Sequence, residues 1–264
     1  MKKKPFDKYE YYLRSVQSPE ADAQFLQRKY QSLRGEKAIV LREDFCAAFA
    51  LCCEWVKANK NQQAIGIDLD PETIAYGREQ YVPLLSADQK SRLQLIRKDV
   101  TKKNLPTADI ICALNFSYFI FKEREKLKSY FSSVLASLRP GGVFFLDCFG
   151  GSQCQHAIEE ETEFQGEGFS YFWDQDSFDP VTHNALFHIH FKRKGEAKRK
   201  KVFTYDWRMW TIPELKDILA EVGFKQTVVY WEGTTKSGEG NGVFSPVTKG
   251  EECEAWVAYL AALR

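Results

Sequence analysis

Four apolar runs in the first half of the chain each end in an acidic or amide side chain. Such runs are typical of buried strands in a parallel sheet, and ligands of open α/β sheets bind at the carboxyl ends of the strands. Carboxylates and carboxamides accept hydrogen bonds from hydroxyl and amino groups. The pattern therefore predicts a pocket for a ligand that carries hydroxyls, amines and a purine. The side chains concerned are Glu43 with Asp44, Asp68, Asp99 and Asn115.

The elements that would position these side chains alternate between strand and helix. Amphipathic spacing predicts one or two helices over residues 6–33, ahead of the first strand. Pro71 predicts a helix start with Asp70 as its cap, which leaves Asp68 to serve a ligand and not the core. The alternation predicts an α/β fold with a doubly wound, mainly parallel sheet. The predicted strands are 38–43, 64–68, 93–97, 108–114 and 143–147, and the helices between them are 46–58, 71–82 and 122–138.

The pattern changes after Gly151. Residues 152–206 contain short aromatic and β-branched runs without a long amphipathic helix, which predicts an antiparallel β insertion of two or three strands. Thr211 and Glu214 form a capping box, and the helix that they begin is expected to end at Gly223. The remaining predictions are a strand over 224–231, a loop over 233–249 and a strand or helix over 254–263.

Composition limits the class of protein. The chain has 264 residues, 44% hydrophobic and 28% charged, which supports a substantial core. A net charge of +1 argues against a general nucleic-acid-binding protein. The odd number of cysteines, seven without a CxxC pair, favours reduced, buried thiols over a disulfide scaffold or zinc site. Since no apolar stretch has the length of a membrane span or a signal core, we expect a cytoplasmic protein without membrane association.

Several short motifs, in this order and spacing, resemble class I S-adenosylmethionine-dependent methyltransferases. Residues 66–72, Gly-Ile-Asp-Leu-Asp-Pro-Glu, resemble the second-strand motif, and residues 138–143, Leu-Arg-Pro-Gly-Gly-Val, resemble the turn before the fifth strand. The first turn departs from the family's Gly-x-Gly-x-Gly, because Phe45, Ala47 and Phe49 stand at the glycine positions. The phrases Glu-Asp-Phe-Cys and Asn-Phe-Ser-Tyr resemble a bacterial subgroup without an assigned substrate. The resemblance implies a Rossmann-like fold, S-adenosyl-L-methionine as methyl donor and S-adenosyl-L-homocysteine as product.

The resemblance also implies a role for each strand end. Glu43 or Asp44 would bind the amino group of the methionine moiety, and Asp68 would accept hydrogen bonds from both ribose hydroxyls. Leu69 would lie against the adenine, and Asp99 would hold the adenine amino group. The other expected cofactor-binding positions are Phe45, Cys46, Val100, Asn115 and Phe116.

The expected catalytic residues are Asn115 and Tyr118, which follow the fourth strand beside the position of the sulfonium. Methyl transfer is an in-line displacement that needs alignment and sometimes a base. Because cations sit favourably on ring faces, Tyr9, Tyr12 and Tyr118 are candidates for an aromatic wall or a lid.

We expect the insertion, residues 152–206, to cover the acceptor site, and residues 1–34 to form a helical lid. Residues 35–151 and 207–264 would then form the cofactor-binding domain. The expected acceptor-binding residues are Tyr9, Tyr12, Trp173, Trp207 and Arg208. Arg208 would be costly to bury without an anionic partner, which predicts a carboxylate or phosphate on the acceptor.

Two clusters have less specific interpretations. His188 and His190 share one face of a predicted strand, near His183, and such a pair can bind a metal. With no third ligand nearby in the sequence, a half-exposed strand face is favoured and no metal is expected. The basic run 192–201 is interpreted as a solvated hairpin tip, and a nucleic-acid contact there is the less favoured alternative.

The leading hypothesis is an enzyme that methylates a nitrogen or oxygen atom of a small or medium acceptor. One alternative is an RNA or DNA methyltransferase that uses the hairpin at 192–201. Another is a non-catalytic S-adenosylmethionine-binding module, which the missing glycines bring into consideration. An NAD-dependent dehydrogenase is disfavoured because the Gly-x-Gly-x-x-Gly fingerprint is absent from the sequence. The acceptor and the oligomeric state stay open.

Overall fold

The centre of the computed structural model, which describes residues 5–235 and 240–264, is an eight-stranded sheet. Five of its strands are parallel and lie in the order β5-β4-β1-β2-β3. The chain therefore moves outward in one direction from β1 and in the other from β4, and open sheets form their ligand crevice at such a point. These strands are β1 (Val40–Asp44), β2 (Gln63–Asp68), β3 (Leu93–Arg97), β4 (Ala108–Ala113) and β5 (Leu138–Gly150).

Helices cover both faces of this sheet. Leu26, Trp55 and Ile74 belong to the core on one face, and Phe131 and Leu219 belong to the core on the other. The doubly wound arrangement is confirmed. The helices are α1 (Lys8–Val16), α2 (Pro19–Arg34), α3 (Ala50–Ala58), α4 (Pro71–Gln80), α5 (Ala87–Ser91), α6 (Arg124–Ser137) and α7 (Ile212–Val222).

The connection from β5 to α7 contains a separate antiparallel sheet of four strands, joined as consecutive hairpins. The predicted number, two or three, was wrong because the first strand, Ile-Glu-Glu-Glu-Thr-Glu-Phe, shows no apolar alternation. It is an exposed edge, and charged side chains are common on edges because they prevent unwanted pairing. The strands are β6 (Ile158–Phe164), β7 (Phe169–Phe178), β8 (Asn184–Arg193) and β9 (Arg199–Arg208).

The last three strands complete the central sheet in antiparallel orientation, in the order β11-β10-β12-β5. A loop over 233–249 was predicted, but β11 forms within it as a largely exposed edge strand whose sequence lacks an apolar face. Residues 236–239 of that predicted loop lie outside the described part of the chain. The final segment is a strand. These strands are β10 (Gln226–Thr234), β11 (Gly240–Val247) and β12 (Trp256–Leu263).

Local signals account for the helix termini. Asp70 accepts the Glu72 N–H at 2.8 Å and caps α4, and Thr211 with Glu214 forms the capping box of α7. The predicted helix over 46–58 begins later, at Ala50, because the preceding turn holds left-handed residues that interrupt it. The predicted end of α6 is confirmed, but β5 begins directly at Leu138, ahead of the glycines expected to form a turn.

Two further expectations concern composition. Six of the seven cysteines are buried, Cys253 is exposed, and all seven are free thiols. Among the described residues, no helix has the length and apolar character that crossing a membrane requires.

Candidate functional site

The turn after β1 has the backbone shape expected of a glycine-rich turn, although it contains no glycine. Phe45, Ala47 and Phe49 have φ angles of 60°, 44° and 50°, in the left-handed region. These are the three positions aligned with the family's glycines. For non-glycine residues the region costs roughly 1–2 kcal/mol each. The turn is held by the Cys46 N–H on the Ile67 carbonyl at 3.1 Å and the Phe49 N–H on the Cys46 carbonyl at 2.6 Å.

Glycines stand instead at positions that face this turn. A Cβ on Gly77 of α4 would lie 2.5 Å from Cε1 of Phe49 and would also collide with the Ala48 carbonyl. A Cβ on Gly66 of β2 would lie 2.9 Å from Sγ of Cys46. The neighbouring elements therefore leave the space that the bulkier turn occupies.

Asp68, at the carboxyl end of β2, is tied to this turn. Its Oδ2 accepts the Ala47 N–H at 2.7 Å, and its Oδ1 accepts the Asp70 N–H at 2.9 Å. The expectation that Asp68 serves a ligand alone was wrong, because the carboxylate also holds two backbone segments. A carboxylate has about four acceptor positions, so two of them stay available for ribose hydroxyls.

The expected adenine side of the site lies at the ends of β2 and β3. Leu69 is 60% exposed, an uncommon position for a leucine next to a buried strand. Asp99 accepts the Thr101 N–H at 2.8 Å and hydroxyl at 2.7 Å, while Val100 is buried. Burial opposes ionisation of Asp99, but the Thr101 bonds outweigh it and lower its pKa. The roles of Leu69, Asp99 and Val100 in binding adenine stay predictions.

Asp44 is a core residue, and its expected cofactor role was wrong. Its side chain and that of Arg42 are both fully buried, with Arg42 Nε 2.9 Å from Oδ1 and Nη2 3.0 Å from Oδ2. The Tyr130 hydroxyl of α6 donates to Oδ2 at 3.0 Å. Successive strand residues point to opposite faces, so Asp44 faces α6 while Glu43 faces α3.

Glu43 remains the acidic candidate of β1. It is 8% exposed, and the Cys52 thiol of α3 donates to Oε2 at 3.1 Å. Burial raises the pKa of Glu43 to about 8, despite the hydrogen bonds from Cys52, and repulsion from Asp22 and Asp68 adds to the rise. A carboxyl with this pKa is mostly protonated at neutral pH, and a cationic partner would favour its ionised form.

Asp22 and Asp147 join Glu43 in what we call the carboxylate cluster. Burial raises the pKa of Asp22, on α2, to about 6, and that of Asp147, on β5, to about 7. The negative charge of Asp22 raises the pKa of both Glu43 and Asp147, so Asp22 repels each of these two strand carboxylates. Perturbed carboxyls gathered at one sheet edge are typical of functional sites.

Asp147 was missed by the sequence analysis. Its two carboxylate oxygens accept the N–H groups of Asn115 at 2.7 Å and Phe116 at 2.9 Å. Both of those residues are left-handed, with φ angles of 56° and 57°. Asp147 thus fixes the turn after β4. The signal was present, because β5 is a fifth apolar run that contains an acidic residue near its end.

Two catalytic residues were predicted, and the structure contradicts the catalytic role of Tyr118. Its side chain is fully buried, and its hydroxyl donates to the Asp147 carbonyl at 2.7 Å. Burial raises its pKa well above the usual range. Tyr118 therefore neither reaches a reacting group nor forms an aromatic wall. Asn115 lies in the turn held by Asp147 and is partly exposed, so its catalytic role stays a prediction.

Helix α1 connects the insertion to the central domain. Tyr12 lies 5.0 Å from the Phe203 ring of β9, measured between centroids. On the other side, the Tyr76 hydroxyl of α4 donates to Asp7 at 3.0 Å, and Lys8 pairs with Glu72 at 2.9 Å. Tyr9 lies 6.1 Å from the same Phe203 ring, so both tyrosines lie between the two sheets. The lid role of residues 1–34, of which the structure describes 5–34, stays a prediction.

The Tyr12 hydroxyl forms a hydrogen bond with Tyr205 of β9. Burial raises its pKa, a hydrogen bond with Tyr205 opposes the rise, and the charge of Asp147 adds to it.

The three expected acceptor residues of the insertion differ in their surroundings. Trp207 is 4% exposed and packs in the core, 6.3 Å from the Phe116 ring. Trp173 lines a cavity of about 370 Å³ together with Phe116 and Tyr171. Trp207 is therefore a packing residue, whereas Trp173 stays a candidate. Both contacts put the insertion at the carboxyl edge of the central sheet.

Arg208 has partners within the protein. Its Nη2 lies 3.0 Å from Glu214 Oε1, and its Nη1 donates to the Lys122 carbonyl at 3.1 Å. The guanidinium stacks on the Trp210 ring at 3.8 Å. Arg208 therefore gives no support to an anionic acceptor, because Glu214 already supplies the carboxylate that such an acceptor was expected to provide.

The basic run 192–201 lies around the β8–β9 hairpin. Arg193 and Arg199 both pair with Glu196, at 2.6 Å and 3.1 Å, and Lys198 pairs with Glu159 of β6. This internal neutralisation weakens the positive field that a nucleic acid would need.

Solved methyltransferases match this chain over nearly its whole length. An S-adenosylmethionine-dependent methyltransferase from Clostridium acetobutylicum is 16% identical, with a TM-score of 0.70 over 97% of this chain and 95% of that one. CalS10, an amino pentose methyltransferase from Micromonospora echinaspora, is 16% identical, with a TM-score of 0.69 over 100% and 99%. The sugar N-methyltransferase KedS8 from Streptoalloteichus is 16% identical, with a TM-score of 0.63 over 100% and 95%.

The fold is that of S-adenosylmethionine-dependent methyltransferases. No protein-family model matches the sequence, and no curated protein matches it. The expected Rossmann-like methyltransferase fold with an antiparallel insertion is confirmed by these structures.

Within this methyltransferase fold, the carboxylate cluster predicts how stability depends on pH. Folding raises the pKa values of Asp22, Glu43 and Asp147 to about 6, 8 and 7, from 3.8 or 4.5. The contribution of these three groups to the free energy of unfolding is therefore fully present below pH ~4, and it is lost as the pH rises through these values. The free energy of unfolding in urea should accordingly fall between pH 5 and 8, and Glu43→Gln should make the fall shallower. Equal slopes in both proteins would contradict this result.

Proposed function

We propose that the protein transfers a methyl group from S-adenosyl-L-methionine to a nitrogen or oxygen atom of a small or medium acceptor. The observation that carries the proposal is the carboxylate cluster beside the left-handed turn, at the carboxyl edge of the sheet. Three carboxyls with raised pKa values, two of which are repelled by the third, Asp22, suit a cationic ligand. S-Adenosylmethionine carries two positive groups, an ammonium and a sulfonium.

The residues of the site fit the remaining parts of the cofactor. Glu43 would bind the ammonium, and Asp68 would accept bonds from the ribose hydroxyls with the oxygen positions that the backbone leaves free. Leu69, exposed at 60%, would be covered by the adenine. The backbone of Phe45 and Cys46 would line the methionine moiety. When bound, the cofactor supplies an electrophilic methyl group on sulfur.

The protein's own contribution to the transfer is alignment and exclusion of water. Asp147 holds the turn at Asn115 and Phe116 rigidly, through two backbone hydrogen bonds. Phe116 lies at the boundary between the central sheet and the cavity of about 370 Å³, so an acceptor in that cavity would meet the cofactor there. Helix α1 closes the cleft from the side through Tyr9 and Tyr12.

For the domains, we propose residues 1–34 as the lid, 152–206 as the acceptor-binding insertion, and 35–151 with 207–264 as the cofactor domain. The cavity is lined by Trp173 and Tyr171 and also by Glu160 and Glu232, which favours a polar acceptor with an amino or hydroxyl group. Solved proteins of this fold include amino pentose, sugar and glycopeptide N-methyltransferases, which supports an amino nitrogen. A cytoplasmic location and the absence of nucleic-acid partners stay predictions.

Calorimetry with S-adenosylmethionine and S-adenosylhomocysteine tests the cofactor. Both should bind, and binding at pH 7 should release protons, because the ammonium stabilises the ionised form of Glu43, whose pKa is about 8 without it. The release is measured by repeating the titration in buffers of different ionisation enthalpy, and it should be smaller in Glu43→Gln. No binding of either compound at millimolar concentration would refute the proposal.

Turnover separates an enzyme from a binding module. Incubation with S-adenosylmethionine and a panel of amino sugars and their hydroxyl analogues should produce S-adenosylhomocysteine with at least one acceptor. Binding of the cofactor without product on any acceptor, single-stranded RNA and DNA included, would favour the non-catalytic alternative.

A further inference from the structure

The outer face of the four-stranded sheet carries two buried histidines surrounded by carboxylates. His188 and His190 of β8 are each 2% exposed, and their ring centroids lie 6.1 Å apart. Asp174 and Asp176 lie on the neighbouring strand β7, where Asp174 is the direct partner of His188. These carboxylates are distant from the histidines in sequence, so a third ligand is not evident there. The predicted half-exposed face was wrong, because both histidines are buried.

His190 is fully occupied within the protein. Its Nδ1 accepts the backbone N–H of Lys201 at 2.9 Å, so the ring proton is on Nε2. Nε2 in turn lies 3.0 Å from Oδ2 of Asp174 and donates to it. His190 therefore has no lone pair to offer to a ligand, and it orients the carboxylate of Asp174.

His188 differs in having one nitrogen without a partner. Its Nδ1 lies 2.9 Å from the Thr204 hydroxyl, which fixes the ring. Its Nε2 is buried and makes no hydrogen bond to any described residue. The nearest carboxylate oxygen, Oδ1 of Asp176, is 4.0 Å away, too far for a hydrogen bond. A buried polar atom in this state costs roughly 1–3 kcal/mol, so a missing partner is indicated.

We propose that His188, Asp174 and Asp176 bind a divalent transition-metal ion, through Nε2 and one oxygen of each carboxylate. These three ligand atoms already lie within 4.8 Å of one another. Metal bonds of about 2.1 Å hold ligand atoms up to about 4.2 Å apart, so a small movement of Asp176, which is 44% exposed, completes the site.

The donor set and its surroundings fit such an ion. One imidazole with two carboxylates suits zinc or manganese, and the positions that they leave open would be filled by water. The hydrogen bond from His190 to Asp174 corresponds to the outer contacts that usually orient metal-binding carboxylates. The opposite face of the same strand carries Ile189 and Phe191, which pack with α1, so the site is separate from the acceptor cleft.

Zinc binding to the chelator-treated protein tests the proposal. The experiment uses a Cys253→Ser background, because that exposed thiol could bind zinc on its own. Calorimetry should show one zinc ion per chain, and zinc should raise the Tm. Asp176→Asn should weaken binding at least about tenfold. The side chain is on the surface, so this variant should fold normally.

The matched control is Asp206→Asn. Asp206 is an aspartate of β9 on the same sheet, pairs with Lys122 and is not one of the proposed ligands. Asp206→Asn changes the charge of the sheet by the same amount as Asp176→Asn, and it should leave the zinc affinity unchanged. The visible absorption spectrum of the cobalt-substituted protein should show a nitrogen ligand. The contribution of that ligand should be absent from the spectrum of His188→Gln. No binding at millimolar zinc, or equal weakening by Asp176→Asn and Asp206→Asn, would overturn the proposal.

Discussion

Asp68→Ala is expected to weaken S-adenosylmethionine binding by about 1.5–3 kcal/mol, roughly 10- to 150-fold in Kd. The reason is the loss of the charged acceptor that we propose for the ribose hydroxyls. The same change removes the acceptor of the Ala47 and Asp70 N–H groups. We therefore also expect a lower free energy of unfolding, by about 1–3 kcal/mol. Calorimetry and urea unfolding measure the two effects.

Asp68→Asn separates the two roles. The amide keeps one acceptor oxygen and the shape of the side chain, so it should recover part of the stability and little of the affinity. The alanine variant would contradict the proposed ribose contact if it lost stability while its folded fraction bound the cofactor normally.

Arg42→Met is expected to lower the free energy of unfolding by about 3–5 kcal/mol, because it leaves the buried carboxylate of Asp44 without its charged partner. The loss should appear in urea unfolding as a lower midpoint. The double variant Arg42→Met with Asp44→Leu should recover much of it, since both charges are then absent from the core.

The same double variant tests the assignment of Asp44 as a core residue. Asp44 contacts Arg42 and Tyr130 on the α6 side of the sheet, so the folded double variant should keep the cofactor affinity of the unchanged protein. An affinity lost together with Asp44 would restore the cofactor role that the sequence suggested.

The sequence predicted the elements well where a local pattern determines them. Apolar runs identified the five parallel strands, and the caps at Asp70 and Thr211 identified two helix starts. The edge strands β6 and β11 were not predicted, because an edge strand need not have an apolar face. Their position is determined by pairing with β7 and β10, which is not visible in a local window.

For the site, the types of the residues were predictable from the sequence, but the directions in which their side chains point were not. Glu43 and Asp44 are adjacent and both acidic, yet one faces α3 and the other pairs with Arg42. The burial of Tyr118 and the pairing of Arg208 with Glu214 likewise depend on contacts between distant elements. The carboxylate cluster combines residues of three separate elements, and the role of Asp147 depends on its bonds to the distant turn after β4.

The left-handed turn after β1 has a consequence for how the protein would meet its cofactor. A glycine turn can adopt many backbone conformations and must give most of them up when a ligand orders it. Phe45, Ala47 and Phe49 have only a narrow left-handed basin, and Phe49 is fully buried against the space that Gly77 leaves. Such a turn is shaped before the ligand arrives, so little conformational entropy remains to be lost on binding. The energetic cost of the left-handed backbone is thus part of the free energy of folding, and ligand binding would start from a preorganised turn.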